Sequence, residues 1–424
     1  MKLTNILPVV FALFLFNCGN QQITDKADYN TYLETDQKNN YSQDLEFWNA
    51  KLDTNPDNFM WLTKRAGSYN TAFKATGDIA YLIKAETDLV KANNLTKYNN
   101  ASLLRTLASN YISQHRFKEA LSLLELAKTN GEKLEATKKM LFDVHLELGN
   151  YIYAKSYLDE FKNTADFDYL IRLSKWQDHQ GNLEGAIESM EKATAIAKAS
   201  NLNSIKQWAY TNLADFYGHA GNIEASYKHY LKALELDPND AYAKKGIAWI
   251  TYSYEKNPEE ALRILDHISS YYQAPDYDLL KAEIAEFTDN SQLKNKALSN
   301  YNTAMQNEQF GEMYNKYNIM LFAEELNQSI KAIAIAKREV ENRPTPGSYD
   351  LLAWSYFNNG QIDKAVAIVK EHVDGFTYEP EVLYHIAEIY KAAGYADDVK
   401  PIKSELLASS YELGPVMTEK IKQL

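Results

Sequence analysis

The sequence predicts an all-α solenoid, a stack of helix pairs, and two recurring features support this class. Helical runs of apolar and small residues recur at a period of about 34 residues, the length of one helix–turn–helix unit. A Gly can take positive φ where the first helix ends, and a following Asn or Asp can cap the next helix. This pair occurs at Gly77-Asp78, Gly149-Asn150, Gly181-Asn182 and Gly221-Asn222.

The stretch from Tyr210 to Asp240 shows the unit most completely. Its signature residues are Tyr210, Leu213, Ala214 and Tyr217 before the turn, and Ser226, Tyr230, Ala233 and Pro238 after it. The small residues allow the two helices to approach to about 8–10 Å. This pattern resembles the tetratricopeptide repeat, the unit of peptide- and protein-binding scaffolds. The resemblance implies a right-handed superhelix of about ten repeats, whose first helices line a concave groove.

The predicted solenoid covers residues 41–413. A half repeat over residues 42–55 is expected to cap its N-terminal end, and the first full repeat starts near Trp61. A long stack is physically reasonable for 424 residues, because each repeat buries its face on its neighbours. Residues 414–424 are expected to form a capping segment, either a short polar helix or a frayed end.

The repeat signal is weakest over residues 276–345, where either a hinge or drifted sequence fits the pattern. Pro344 and Pro346 lie in the most turn-rich part of the chain. A bend between two sub-stacks is possible at residues 343–347, although short loops of this kind are also ordinary between repeats.

The first residues have the pattern of a targeting segment. Lys2 precedes an apolar run over residues 6–16 that is too short to span a bilayer. Cys18 directly follows the run, and this resembles a bacterial lipoprotein signal over residues 1–17. The resemblance implies cleavage before Cys18, acylation of that residue and membrane anchoring; the alternative is an ordinary signal peptide. Residues 18–40 are polar and are expected to form a flexible tether.

Composition excludes several classes of function. The net charge of −12 argues against a nucleic-acid-binding face. A single Cys permits neither an intramolecular disulfide nor a Cys-based zinc site. No catalytic, phosphate-binding or calcium-binding motif is evident, so neither enzymatic activity nor a metal or cofactor is expected.

The resemblance also places candidate ligand-binding residues at the non-signature positions of the first helices. The N-terminal half offers a polar, partly basic set, and the C-terminal half offers a largely aromatic set. Solvation alone would also explain the polar residues. The candidates are Arg105, Lys139, Arg172, Lys175 and Asn212, then Asp350, Trp354, Phe357, Tyr384 and His385.

Two functions remain open at this point. The first is a non-enzymatic scaffold or adaptor lipoprotein of a bacterial envelope that binds a protein or peptide in its groove. It is expected to face the periplasm from the outer membrane. The second is a nutrient-binding outer-membrane lipoprotein that presents an oligosaccharide or peptide to a transporter. Such proteins usually carry long insertions that build the pocket, and none is evident in this sequence.

Overall fold

A computed structural model describes residues 22–34 and 40–424, which form helices and their connections with no strand among them. Two π-helical stretches, Ile250–Tyr254 and Leu321–Glu325, extend α13 and α17, and a 3₁₀ turn covers Glu308–Phe310. The helices are α1 (Lys26–Leu33), α2 (Asn40–Thr54), α3 (Phe59–Thr76), α4 (Ile79–Leu95), α5 (Ala101–Ser113), α6 (Phe117–Asn130), α7 (Leu134–Glu147), α8 (Tyr151–Glu160), α9 (Phe167–His179), α10 (Leu183–Ala199), α11 (Asn203–His219), α12 (Ile223–Leu236), α13 (Ala241–Trp249), α14 (Pro258–Ser269), α15 (Asp276–Phe287), α16 (Ser291–Ala304), α17 (Asn315–Met320), α18 (Ser329–Asn342), α19 (Pro346–Asn358), α20 (Ile362–His372), α21 (Pro380–Ala392), α22 (Ala396–Ala408) and α23 (Ser410–Lys422).

Helices α3 to α22 form ten consecutive helix pairs, which confirms the predicted solenoid. Helix α2 packs against α3, at the place where a half repeat is predicted. The first helices of successive pairs also touch one another, for example α5 with α7, α11 with α13 and α19 with α21. This places the first helices on the inner side of the superhelix and the second helices on its outer side.

The predicted turns form as their residue types require. Their four Gly residues take positive φ, from 68° at Gly77 to 73° at Gly221. Asn182 and Asn222 then accept capping hydrogen bonds from backbone N–H groups at 3.0 and 3.2 Å. Asn150 is the exception, because its side chain makes no capping hydrogen bond.

Successive turns of the superhelix touch each other at three of these Gly residues, Gly77, Gly149 and Gly181. The position where a Cβ would stand on Gly149 lies 2.8 Å from the carbonyl oxygen of Pro344. Arg343, 196 residues along the chain from Glu147, pairs with it at 3.1 Å. The predicted bend at residues 343–347 is therefore a contact between two superhelical turns, and α18 and α19 on either side of it pack together.

The weakest part of the repeat pattern, residues 276–345, forms α15 to α18. A longer connection separates α16 from α17, and its 3₁₀ turn packs against α4 of the preceding superhelical turn. Tyr301 of α16 donates a hydrogen bond to Asn318 of α17 at 3.0 Å, which ties the two pairs together.

The expectation of a flexible tether over residues 18–40 is wrong for residues 22–34. Residues 22–33, here called the outer segment, pack on the outer side of α12 and α14. The backbone N–H groups of Ile23 and Thr24 donate to one carboxylate oxygen of Glu255 at 2.7 and 2.6 Å. Tyr29 is only 2% exposed, and its hydroxyl donates to Glu260 at 2.8 Å. Although this segment is polar in composition, it is held by one buried aromatic ring and a set of backbone hydrogen bonds.

The last helix, α23, runs through the predicted start of the capping segment at residue 414. Gly414 takes φ of 78°, which kinks the helix there. Beyond the kink, Ile421 is fully buried in the core of the last repeats, so this part covers the end of the stack. Before the kink, residues 410–414, here called the inner segment, reach back to α11, the 250–254 turn and α15.

Candidate functional site

The basic candidates of the N-terminal half connect neighbouring repeats. Arg105 is 8% exposed and donates to the carbonyl oxygen of Glu132 at 2.8 Å. Lys139 is equally buried and contacts the carboxylates of Asp166 and Asp168 at 2.9 and 3.2 Å. Burial lowers the pKa of Lys139, but these carboxylates outweigh burial and raise it. Both charges are thus already satisfied within the solenoid.

The other members of this set are paired in the same way. Arg172 contacts Asp143 at 2.6 Å, and Lys175 contacts Glu147 at 2.9 Å. Asn212 lies apart from both and donates to the carbonyl oxygen of Trp208, one helical turn earlier, at 2.8 Å. The structure therefore does not bring these residues together as a free basic surface.

The aromatic candidates form the interior of the last repeats, so Trp354 does not expose its ring to a ligand as a groove residue would. Its ring is 6% exposed and stacks on His385 at a centroid distance of 4.1 Å and on Phe357 at 5.0 Å. Its indole Nε1 donates to Glu324 at 2.7 Å. Tyr384 is 7% exposed and contacts the Trp354 ring edge-on. Positions outside the repeat signature are buried here because adjacent first helices pack on each other.

His385 and Asp350 form a buried ion pair behind these rings. The imidazole Nδ1 lies 2.8 Å from the carboxylate, and the two residues are 1% and 2% exposed. Burial lowers the pKa of His385, but the neighbouring Asp350 carboxylate outweighs burial and raises it. Complete burial gives this pair a packing role and leaves no path for a peptide to reach it.

One open space lies further inside, between α15, α16, α17, α21 and α23, which line a cavity of about 460 Å³. Its walls combine apolar side chains such as Leu279 and Met417 with seven Glu and three Lys side chains. Lys316 pairs with Glu381, and Lys294 pairs with Glu286 and with Glu325. The Glu residues are Glu283, Glu286, Glu324, Glu325, Glu379, Glu381 and Glu412.

Glu283 has the most perturbed carboxyl group of this cavity. Burial raises its pKa to about 7, the charge of Glu286 adds to this effect, and a hydrogen bond from the Tyr252 hydroxyl opposes it. That hydroxyl lies 3.1 Å from the carboxylate. Around neutral pH, Glu283 is therefore only partly ionised although it faces the cavity.

A second cavity of about 300 Å³ adjoins the first, and both are lined by Trp249 and Glu412. On its wall, Asp215 accepts hydrogen bonds from the hydroxyls of Tyr230 and Tyr242 at 2.5 and 2.7 Å. His219 lies 2.9 Å from Glu412. Burial lowers the pKa of His219, but the hydrogen bond and charge of Glu412 outweigh burial and raise it to about 9.

The inner segment separates the two cavities. The Tyr411 carbonyl oxygen accepts hydrogen bonds from Trp249 Nε1 at 3.2 Å and from the Ser253 hydroxyl at 2.5 Å. The place of a Cβ on Gly414 would lie 2.7 Å from Glu283 Oε1 and 3.0 Å from the Trp249 ring. The groove predicted to take a ligand is thus occupied, at its middle, by the chain itself.

With this architecture described, comparison with known proteins can be stated. Residues 209–240 match the family model described as Tetratricopeptide repeat. The chain therefore contains a tetratricopeptide repeat at residues 209–240. The match coincides with α11 and α12, the pair whose sequence carries the full signature. Among curated proteins, no sequence matches the chain.

Several solved structures match parts of this chain at low sequence identity. One from Parabacteroides merdae is 16% identical, with coverage of 58% of this chain and 92% of that one and a TM-score of 0.39. The human IFIT1 dimer with m7Gppp-AAAA is 13% identical, with coverage of 78% and 75% and a TM-score of 0.47. YrrB, described as having an unusual peptide-binding site, is 19% identical, with coverage of 47% and 96% and a TM-score of 0.28. Because these matches are distant, the repeat assignment rests on the family-model match over residues 209–240 and on the ten helix pairs of this chain.

Sequence reasoning did not identify the residues that line the two cavities. Ser253 lies in a π-helical stretch, and Trp249 directly precedes it. No local sequence pattern predicts such a stretch. Gly414-Pro415 was visible as a break, but its contact with Trp249 depends on the superhelical path. Among the described residues, no helix has the length and apolarity needed to cross a bilayer. Cys18 lies outside the described residues.

Proposed function

We propose that this protein is a lipid-anchored scaffold of a bacterial cell envelope that binds a protein or peptide segment in its concave groove and catalyses no reaction. Tetratricopeptide-repeat stacks are typical protein-binding scaffolds. The observation that carries the proposal here is the pair of adjoining cavities, about 460 and 300 Å³, on the inner side of α11 to α17. Their mixed apolar and hydrogen-bonding walls suit side chains of a bound segment.

The lipid anchor is proposed from the sequence around Cys18. The basic residue, the apolar run and the single Cys directly after it support acylation at this position, at a periplasm-facing leaflet of the outer membrane. Four residues lie between Cys18 and Ile23, where the chain docks on Glu255. An extended chain covers at most about 3.6 Å per residue, so an anchor at Cys18 would hold the solenoid within roughly 20 Å of the membrane.

Two measurements test the anchor and the groove separately. For the anchor, cells are fed a radiolabelled fatty acid; the wild type should be labelled and Cys18→Ala should not. For the groove, a photo-crosslinking amino acid is placed at Leu279, which lines the larger cavity, and as a matched control at Lys192 on the outer helix α10. A discrete envelope protein should be trapped from Leu279 and not from Lys192. Equal trapping from both positions, or from neither, would contradict groove binding.

The alternative of a nutrient-binding lipoprotein shares the anchor and differs in the ligand. Trp249 lines both cavities and offers an aromatic face of the kind that stacks on sugars. The connections between the described helices are nevertheless short, so there is no inserted pocket domain of the kind expected for that class. Protection of Trp249 fluorescence from quenching by an oligosaccharide, with no trapped protein, would favour this alternative.

A further inference from the structure

The inner segment, residues 410–414, has an unusual local structure because Pro415 follows it directly in the sequence. In a regular helix the carbonyl of Tyr411 would accept a hydrogen bond from the N–H of residue 415. Pro415 has no N–H, so this carbonyl is left without its helical partner. It is satisfied by Trp249 and Ser253 of another repeat, at 3.2 and 2.5 Å.

Three features of the groove match three features of this segment. The Tyr411 ring lies over Gly218, where a Cβ would stand only 3.1 Å from the ring. The Glu412 carboxylate lies 2.9 Å from His219. Gly414 fits against Trp249 and Glu283 with no room for a side chain and with φ of 78°. Together with the Tyr411 carbonyl described above, the groove thus contacts an aromatic ring, a carboxylate and a Cα without a side chain. A protein that binds a peptide makes the same kinds of contact with side chains and backbone.

The surroundings of this segment differ from those of the solenoid helices. It is flanked by the two cavities, and Glu412 lines both. Tyr411 is only partly buried, whereas the Tyr residues of the neighbouring core, such as Tyr252, are fully buried. The segment therefore occupies part of a larger space instead of filling it.

We propose that residues 411–415 occupy, within the same chain, the site at which this scaffold takes its partner. The partner segment would carry the same chemistry: an aromatic residue, an acidic residue next to it, and a Gly-Pro pair beginning three positions after the aromatic. This inference rests on the proposed scaffold function and specifies its site. Because the segment belongs to the same chain, it competes with any partner for the site. The apparent affinity for a partner is then the intrinsic affinity multiplied by the unoccupied fraction of the site.

The test is a peptide titration against the full folded chain. The probe is a fluorescein-labelled peptide of residues 409–418, SSYELGPVMT, measured by anisotropy. The opened variant is Tyr411→Ala/Glu412→Ala, which keeps Leu413 and Ile421 in the core of the last repeats. The control is Glu419→Ala, on the exposed side of the same helix. The opened variant should bind at least about tenfold more tightly than the wild type, because the competing segment is removed, and the control should bind like the wild type.

A second variant protects the test against misfolding. Glu412→Gln keeps every apolar contact and removes only the charge that faces His219. It should bind the peptide about threefold or more tightly than the wild type, since a weaker internal competitor leaves the site open for longer. A peptide with Ala in place of its Tyr should bind neither variant.

Two results would overturn the inference. One is the absence of peptide binding to Glu412→Gln when its helicity equals that of the wild type. The other is equal binding of the peptide with and without its Tyr. A partner trapped from Leu279 in cells without peptide binding would refute this inference and leave the scaffold role intact. Peptide binding without any partner trapped from Leu279 would refute the scaffold role, but the peptide-binding site occupied by residues 411–415 would stand.

Discussion

The outer and inner segments hold opposite faces of the same repeat, α13 with α14, by different means. The outer segment presents backbone N–H groups to one carboxylate, Glu255, and inserts the Tyr29 ring almost completely. The inner segment presents a backbone carbonyl to Trp249 and Ser253 and leaves cavities on both sides. The outer segment thus buries its aromatic ring almost completely, whereas the inner segment leaves the Tyr411 ring partly exposed.

The electrostatic character of the two contacts also differs. Burial raises the pKa of Glu260 beneath the outer segment, but Arg263, Lys26 and the Tyr29 hydroxyl outweigh burial and lower it to about 2. At the inner segment the corresponding group is the partly exposed imidazole of His219, whose pKa is raised. The outer contact depends on an ionised carboxylate and the inner contact depends on a protonated imidazole.

The largest difference between the segments is expected from their aromatic residues. Tyr29→Ala removes a ring that is 2% exposed and should cost about 3–5 kcal/mol in the free energy of local opening of residues 22–33. Tyr411→Ala removes a partly exposed ring, so residues 410–414 should lose clearly less. Hydrogen exchange at the two segments measures both values. Equal losses would mean that the inner segment is a core element as well.

A smaller effect is expected from the carboxylate that receives the outer segment. Glu255→Ala removes the acceptor of two backbone N–H groups and of the Thr24 hydroxyl. The cost should be about 1.5–3 kcal/mol of docking free energy, the range for hydrogen bonds to a charged group. Glu259→Ala, an exposed acid nearby, is the matched control and should change nothing. Faster exchange in residues 410–414 as well would show that the segments are coupled through this turn.

The smallest effect is a dependence on pH with opposite signs at the two segments. The pKa of His219 is raised to about 9 from an ordinary value of 6.5, so its contribution is complete below pH 6.5 and lost as pH rises through 9. The pKa of Glu260 is lowered to about 2, so its contribution is complete above pH 4.5 and lost only as pH falls towards 2. Between pH 6.5 and 9.5, protection factors should fall a few-fold in residues 410–414 and stay constant in residues 22–33. His219→Gln should abolish this dependence, and its persistence there would contradict the assignment.

The parts of the fold that sequence predicts well are those governed by neighbours in the chain. The Gly turns and their Asn caps need only local residue types, and the buried Ala and Ser positions such as Ala186 and Ser226 follow from the helix crossing. The ten pairs follow from repetition of that local rule.

The site was harder to predict because it depends on contacts between repeats. Lys139 looked free in the sequence, yet the carboxylates that satisfy it lie in the next repeat. Trp354 looked exposed because the repeat signature does not specify packing between adjacent first helices. The outer segment was missed in part because several of its hydrogen bonds are made by backbone N–H groups, which composition does not reveal.

The turn at residues 250–254 also has a consequence for the order of assembly. Ser253 holds the inner segment and Glu255, just beyond the turn, holds the outer one, across separations of 158 and 231–232 residues. A solenoid can grow from contacts between adjacent repeats, but these two closures need a finished repeat as a template. Loop entropy rises only logarithmically with such lengths, so closing them late costs little more than closing much shorter ones. The outer and inner segments should therefore dock last during folding and detach first on unfolding, while the stack of helix pairs persists.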